Sequence, residues 1–184
     1  MGTRGAIGFY KDGVDKITYN HFDSYPRVLG NGVKDFVLKY EKDLDKIFES
    51  IILVDADSKT TVEQKKDCLK YADLSVSEQS PDDWYCLTRK AQGDLEAYAK
   101  GLKYMIDNKD FLEDSLFCEW AYIINLDKRV LEIYVGFQKC PNDNRYSVDE
   151  PDGEYYNCKL EREVPFEKLS SFDMDSLEEE IKGE

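Results

Sequence analysis

What this chain lacks excludes more than what it contains. It has a single histidine, His21, in 184 residues, and its five cysteines (Cys68, Cys86, Cys118, Cys140 and Cys158) are odd in number and never fall into a C-x-x-C spacing. Neither a disulfide framework nor a cysteine-based zinc site is expected. Positive charge is scarce too: 25 lysines and arginines face 39 acids, a formal net charge of -14. Binding to a phosphate backbone draws on an excess of positive charge, so direct nucleic-acid binding is not expected. The balance fits a soluble cytoplasmic protein, a partner for a basic protein surface, or a mimic of nucleic-acid charge. No run approaches the roughly 18 apolar residues of a membrane span, and Met1 to Ala6 lacks an apolar signal run, so a cytoplasmic location away from membranes is expected. A myristoylation pattern at Gly2 fails at Ala6, where serine or threonine is needed. Gly2 to Gly8 is glycine-rich but matches neither a Walker A loop nor G-x-G-x-x-G before a helix. Asp55-Ala56-Asp57-Ser58 begins like a calcium loop, yet Thr60 stands where glycine belongs and Lys66 where the bidentate glutamate belongs. No metal and no cofactor is implied.

What is present reads as one domain, residues 1–170, followed by an acidic C-terminal tail, 171–184, expected as a frayed helix or solvated arm. Asp12-Gly13 is the strongest hairpin signal, because a two-residue type I′ turn needs positive φ at both central positions. It joins strand 4–11 to strand 14–22, with Gly8 opposite Ile17, Ala6 opposite Tyr19 and Arg4 opposite His21. Small residues on the first strand would leave room against Tyr19 and His21. Val33, Phe36, Val37, Tyr40, Leu44, Ile47, Phe48 and Ile51 keep helical spacing and predict a helix over 32–53. A capping box at Thr60-Thr61-Val62-Glu63 predicts a helix over 61–72. Ser80-Pro81-Asp82-Asp83 opens another, over 81–107, with Gly93 as a possible break. Residues 117–125 and 129–137 form a second, apolar hairpin, central in the sheet, and 155–164 an edge strand stopped by Pro165. The expected fold class is α+β: an antiparallel sheet of about five strands, from two hairpins and an edge strand, covered by three or four helices.

The chemistry concentrates in Tyr19-Asn20-His21-Phe22-Asp23-Ser24-Tyr25-Pro26. His21 is the natural general acid or base, since histidine alone has an unperturbed pKa near neutrality, and Asp23 would share its face on a continuing strand. The alternative is a histidine hydrogen-bonded at a strand end, with Asp23-Ser24 a simple Asx-type turn. Arg4, Tyr19, Asn20, Tyr25 and Glu119 complete a candidate ligand-binding set. A guanidinium opposite the imidazole disfavours the imidazolium and can hold a ligand carboxylate or phosphate, while Arg4 equally suits a structural pairing with Glu119 or Asp23. Cys118 is a conceivable nucleophile if the fold brings it to His21.

The stretches Met1 to Gly5, Asp12-Gly13, Tyr19 to Pro26, Leu29-Gly30, Phe117 to Tyr122, the Leu126-Asp127 turn and Leu131 to Tyr134 resemble a family of proteins of uncharacterised activity from phages, bacteria and fungi. The resemblance spans both hairpins, implies that they belong to one domain, and lends no catalytic residue. The leading functional expectation is a small polar-ligand-binding or hydrolase-like site at the N-terminal hairpin. The other is an acidic interaction module or inhibitor that presents carboxylates, including Asp173, Asp175 and Glu178 to Glu180, to a basic protein partner.

Overall fold

The computed structural model describes residues 2–151 and 153–183, Lys182 by its backbone alone. Its centre is a five-stranded sheet whose strands lie in the order Val14–Asn20, Gly5–Lys11, Trp120–Asn125, Val130–Val135, Lys159–Pro165. Strands β1 (Gly5–Lys11) and β2 (Val14–Asn20) form the first hairpin, with Ala6 opposite Tyr19 and Gly8 opposite Ile17, as their alternation predicts. The turn has the two positive φ values that Asp-Gly supplies, 51° at Asp12 and 76° at Gly13. The Asp12 N–H donates to the carboxylate of Asp127 (3.0 and 3.1 Å), tying this turn to that of the second hairpin. That second hairpin, β5 (Trp120–Asn125) and β6 (Val130–Val135), is buried along its whole length, consistent with its apolar sequence. β7 (Lys159–Pro165) pairs with β6 and forms one edge.

The sheet is mixed rather than antiparallel, because β1 runs parallel to β5. Within each hairpin the turn dictates antiparallel pairing. Between hairpins a connection of about a hundred residues imposes no direction, and packing decides. A separate two-stranded parallel sheet joins β3 (Ile52–Val54) to β4 (Tyr104–Ile106).

The helices also differ from expectation in number: seven lie among the described residues. The predicted helix 32–53 begins one turn earlier as a π-turn at Pro26–Gly30, continues as α1 (Asn31–Tyr40), breaks, resumes as α2 (Leu44–Ser50) and yields to β3. The side chain of Lys16 closes the end of α2, donating to the carbonyls of Phe48 and Ile51 at 2.7 Å each. α3 (Val62–Cys68) is capped one residue later than expected: Thr61 and Gln64 form the reciprocal box, while the Thr60 hydroxyl donates to the Pro81 carbonyl. The long helix over 81–107 does not exist. Asp83 caps only the four-residue α4 (Trp84–Leu87), α5 is Glu96–Ala99, and Gly93 (φ 73°) and Gly101 (φ 107°) turn the chain before β4. Its apolar spacing was nevertheless meaningful: Trp84, Leu87, Ala91, Leu95, Tyr98, Leu102 and Met105 are all buried, each successive short turn presenting its inner face to the core.

Two apolar layers result. On one face of the sheet Ile7, Phe9, Tyr122, Ile124, Leu131 and Ile133 pack against α1, α2 and the Trp84 segment. Phe9 makes edge-to-face contacts with Phe36 and Phe48, ring centroids 6.2 and 6.3 Å apart. The same layer receives Phe166 and Leu169 of α6 (Phe166–Leu169) and Met174 and Leu177 of α7 (Met174–Lys182), so the segment expected as a frayed helix or solvated arm carries a docked helix. Asp173 caps α7 through the N–H groups of Asp175 and Ser176. The opposite face, with Ala6, Ile17, Ala121, Ile123 and Tyr134, is covered by Leu112, Tyr146 and Cys158 from the loops. The space over the small residues of β1 is therefore filled by the protein's own side chains. No helix among the described residues is long and apolar enough to cross a membrane.

Buried in that second layer is a charged cluster. Glu132 is fully buried and receives two bonds from the Arg145 guanidinium (2.8 and 2.5 Å), one from the Asn125 amide (2.7 Å) and one from the Tyr134 hydroxyl (3.1 Å). Burial alone would push its pKa up, but these partners together hold it below the usual range. The Tyr146 hydroxyl carries the network on to Asp15 (2.7 Å), and the Arg145 guanidinium lies 3.9 Å from the Tyr10 ring centroid. The acid within β5's approach, Glu119, is half-buried; the deeply buried one is Glu132.

Candidate functional site

The octapeptide 19–26 folds into a compact corner rather than a continuing strand. β2 ends at Asn20, whose buried side-chain amide donates to the Phe22 carbonyl (2.5 Å) and the Ser24 hydroxyl (2.9 Å). The Ser24 N–H donates to the Thr3 carbonyl (3.1 Å), and the Tyr122 hydroxyl donates to the Ser24 carbonyl (2.9 Å). These bonds anchor the corner to β1 and β5, with Asp23 at φ 54° as its turning residue. Asn20, expected as a ligand contact, is thus spent on shaping the corner. Asp23 is exposed and does not share a strand face with His21 as expected, because the strand has already ended at Asn20.

His21 is held at the corner's rim. Its Nδ1 lies 2.6 Å from the Tyr19 hydroxyl, and its ring packs edge-on against Phe22 (centroids 4.2 Å). Tyr19 is fixed in turn by an edge-to-face contact with Phe111 (5.1 Å). Burial lowers the His21 pKa, and the Arg89 and Arg4 guanidiniums lower it further, so the neutral imidazole is favoured. Burial and the neighbouring Tyr85 raise the Tyr19 pKa, with Arg4 and Arg89 acting against them. Whichever partner donates in the Tyr19–His21 bond, Nδ1 is occupied and Nε2 is left for whatever enters beside it.

A groove of about 530 Å³ opens here, lined by Gly2, Thr3, Arg4, His21, Phe22, Tyr25, Leu116, Phe117, Glu119 and Phe137. Of the seven residues singled out from the sequence, Arg4, His21, Tyr25 and Glu119 meet on its wall. Tyr19 stands behind His21, Asn20 lies beneath the corner, and Asp23 is outside. Arg4 and Glu119 meet through the Arg4 backbone rather than as the expected charge pair: the Arg4 N–H donates to Glu119 Oε1 (3.3 Å) and the Glu119 N–H to the Arg4 carbonyl (3.1 Å), the latter just ahead of the parallel β1–β5 pairing. The Arg4 guanidinium instead lies over the Phe117 ring, 5.3 Å from its centroid.

The apolar half of the groove was not foreseen. Phe22, Phe117 and Phe137 are 51%, 46% and 55% exposed, and Leu116 joins them, so four of the protein's exposed large apolar side chains share one wall. Phe137 sits at φ 57°, a conformation uncommon for a bulky residue. It is kept there by its N–H donating to the Ser115 carbonyl (2.6 Å) and by Gly136, where a Cβ would fall 2.2 Å from the Cys118 carbonyl oxygen. Strain of this kind is commonly retained where a side chain must be presented in a particular direction. Arg89 was missed as well; it lies over the rings of Phe22 (5.4 Å) and Tyr85 (5.9 Å). Cys118, considered as a nucleophile, is fully buried, and burial together with neighbouring Cys158 pushes its thiol well above the ordinary range, away from thiolate chemistry. Among the described residues no cluster of three or more His, Cys, Asp or Glu side chains is placed to hold a metal ion.

No protein-family model, no curated protein and no solved structure matches this chain.

Proposed function

We propose that the protein is a small-ligand-binding domain whose site is the groove at the open end of the N-terminal hairpin. The observation that carries this reading is the convergence, on one concave wall, of His21, Arg4, Tyr25 and Glu119 with four exposed apolar side chains drawn from three separate chain segments. Its volume falls within the range of small-molecule sites, which combine apolar walls with a few directed polar groups. A covalent hydrolase mechanism is less well supported. Cys118 is buried, and the Ser24 hydroxyl, also fully buried, is bonded to Asn20. If a hydrolytic step takes place in the groove, neutral His21 is the group suited to accept a proton from water.

A second reading, an acidic module for a basic protein partner, rests on the net charge of -14 and on exposed Asp173, Asp175, Glu179 and Glu180 around α7. Glu178 of that set is buried and would not contribute.

The test is a thermal-shift screen of nucleotides, amino acids, sugars and metals on wild type, His21→Ala and Phe117→Ala. Phe117 is exposed enough that its loss should leave the fold intact. A ligand at about a hundred times its Kd adds roughly 2.7 kcal/mol of stability. A hit on wild type that disappears in both variants supports the groove. Hits that persist in both variants, or none at all, would overturn the reading.

A further inference from the structure

Resting on that reading, we infer that the groove takes a nucleoside monophosphate, its planar base against the Phe22, Phe117 and Phe137 rings and its phosphate against the Arg4 and Arg89 guanidiniums.

The arginines show the pattern. There are six in the chain. Three have carboxylate partners: Arg129 with Glu41, Arg145 with Glu132, and Arg162 with Glu161. The other three, Arg4, Arg27 and Arg89, have no carboxylate of the described residues within ion-pair reach, in a chain where acids outnumber bases 39 to 25. Each lies over a ring that lines this groove: Arg4 over Phe117, Arg27 over Tyr25 (5.6 Å), and Arg89, itself outside the lining, over Phe22. A guanidinium attracted to a ring face keeps its N–H groups available to a phosphate. Arg89 gives one N–H to the neutral Gln92 side chain (2.9 Å) and has no ion-pair partner among the described residues, Asp73 acting on it only at longer range. His21, facing Tyr19 on β2, Arg4 ahead of β1 and Arg89 beyond α4, senses both guanidiniums, which places the two cations within electrostatic range of the same rim.

The rest of the wall fits the rest of a nucleotide. Exposed rings offer stacking surface to any base, a contact worth about 1–3 kcal/mol per base on aromatic platforms. Glu119 is the one carboxylate among the described residues that line the groove, and a carboxylate accepts from ribose hydroxyls where it would repel a phosphate. The overall charge favours a mononucleotide over a polynucleotide. At physiological salt, charges are screened beyond about 8 Å, so one phosphate senses mainly the local guanidiniums. A longer strand would lay further phosphates along a surface of net charge -14.

Isothermal titration with the monophosphates of adenosine, guanosine, cytidine and uridine tests this directly. Adenosine, uridine, inorganic phosphate and indole serve as controls, on wild type, Arg4→Gln, Arg89→Gln and Phe117→Ala. Circular dichroism checks each fold, and Arg89→Gln alone suffices should Arg4→Gln fail to fold. Expected are one-to-one binding of at least one monophosphate, at least tenfold weaker binding of its nucleoside, and about a tenfold loss in each arginine variant, the scale of one charge-assisted hydrogen bond. The inference is overturned if no monophosphate binds at millimolar concentration, or if binding is unchanged in Arg89→Gln. If indole or another neutral ring binds wild type but not Phe117→Ala while no nucleotide binds, the nucleotide inference falls and the groove reading stands. If nothing binds, both fall.

Discussion

Replacing Arg145 by methionine should test the interior more severely than any surface change. Glu132 has no solvent exposure, while the Arg145 side chain reaches it from the surface and stays 24% exposed, so the substitution leaves a carboxylate in the core with only Asn125 and Tyr134 as donors. Breaking a buried pair by removing one partner costs about 3–5 kcal/mol. The two remaining donors argue for the lower end, about 3 kcal/mol. For a chain of this size that corresponds to a fall in Tm of roughly 6–12 °C. The pH dependence identifies the cause. In wild type the folded pKa of Glu132 lies below its ordinary 4.5, so the pair's contribution is present above pH 4.5 and is lost as pH falls through the folded value. In the variant the same carboxyl is raised above 4.5, so the penalty should be largest at pH 7 and shrink as pH falls toward 5 and Glu132 protonates. Asp15, pushed up by burial and eased by the same guanidinium, shifts in the same direction. Adding Glu132→Gln to the variant should recover much of the loss at pH 7. Urea denaturation at pH 7 and pH 5 measures all of this. A loss below about 1 kcal/mol, or one that does not change with pH, would refute the assignment of Glu132 as a buried ion held by Arg145.

Two further outcomes follow from burial. Leu177→Ala should lower stability by about 2–5 kcal/mol, because this side chain of α7 is 1% exposed within the main core; a change below 1 kcal/mol would return residues 171–184 to the status of an arm. Ellman's reagent should titrate one thiol quickly in the native protein, exposed Cys140, and all five only in denaturant. Burial pushes the Cys68 thiol up to about 11, with Asp67 adding to the shift, so a second fast thiol would contradict the packing described.

How far the sequence could be read depended on whether a feature was decided locally. Asp12-Gly13 and the alternation of the flanking residues determined the first hairpin and its register between Gly5 and Asn20, though not the expected pairing of Arg4 with His21, because the strand ends at Asn20; the apolar run 117–137 marked the second hairpin without fixing its register. The parallel join between them was not legible, because neither hairpin's sequence encodes the direction in which it meets the other. Over 81–107 the helical spacing of Trp84, Leu87, Ala91, Leu95 and Tyr98 marked burial correctly and conformation wrongly; Gly93 and Gly101 break the backbone while the inward-facing residues keep their rhythm. The polar members of the groove stood out as a dense cluster of titratable residues around a lone histidine. Its aromatic wall did not, since Phe22, Phe117 and Phe137 at strand ends look like ordinary core residues until the fold leaves them exposed. Arg89 lay in a segment read as plain helix, and only the tertiary structure brings it over Phe22.

The most direct test of the groove as an electropositive site is a pH titration of the His21 imidazole by ¹H–¹³C NMR, which yields a single histidine signal because the chain has only one. Burial, Arg89 and Arg4 together should place its pKa below the ordinary 6.5, and Arg89→Gln should move it back up. Stability should correspondingly decline as pH falls from 6.5 through that lower value, since the unfolded chain binds the proton more readily. A wild-type pKa at or above 6.5, or one that Arg89→Gln leaves unchanged, would contradict the site as described.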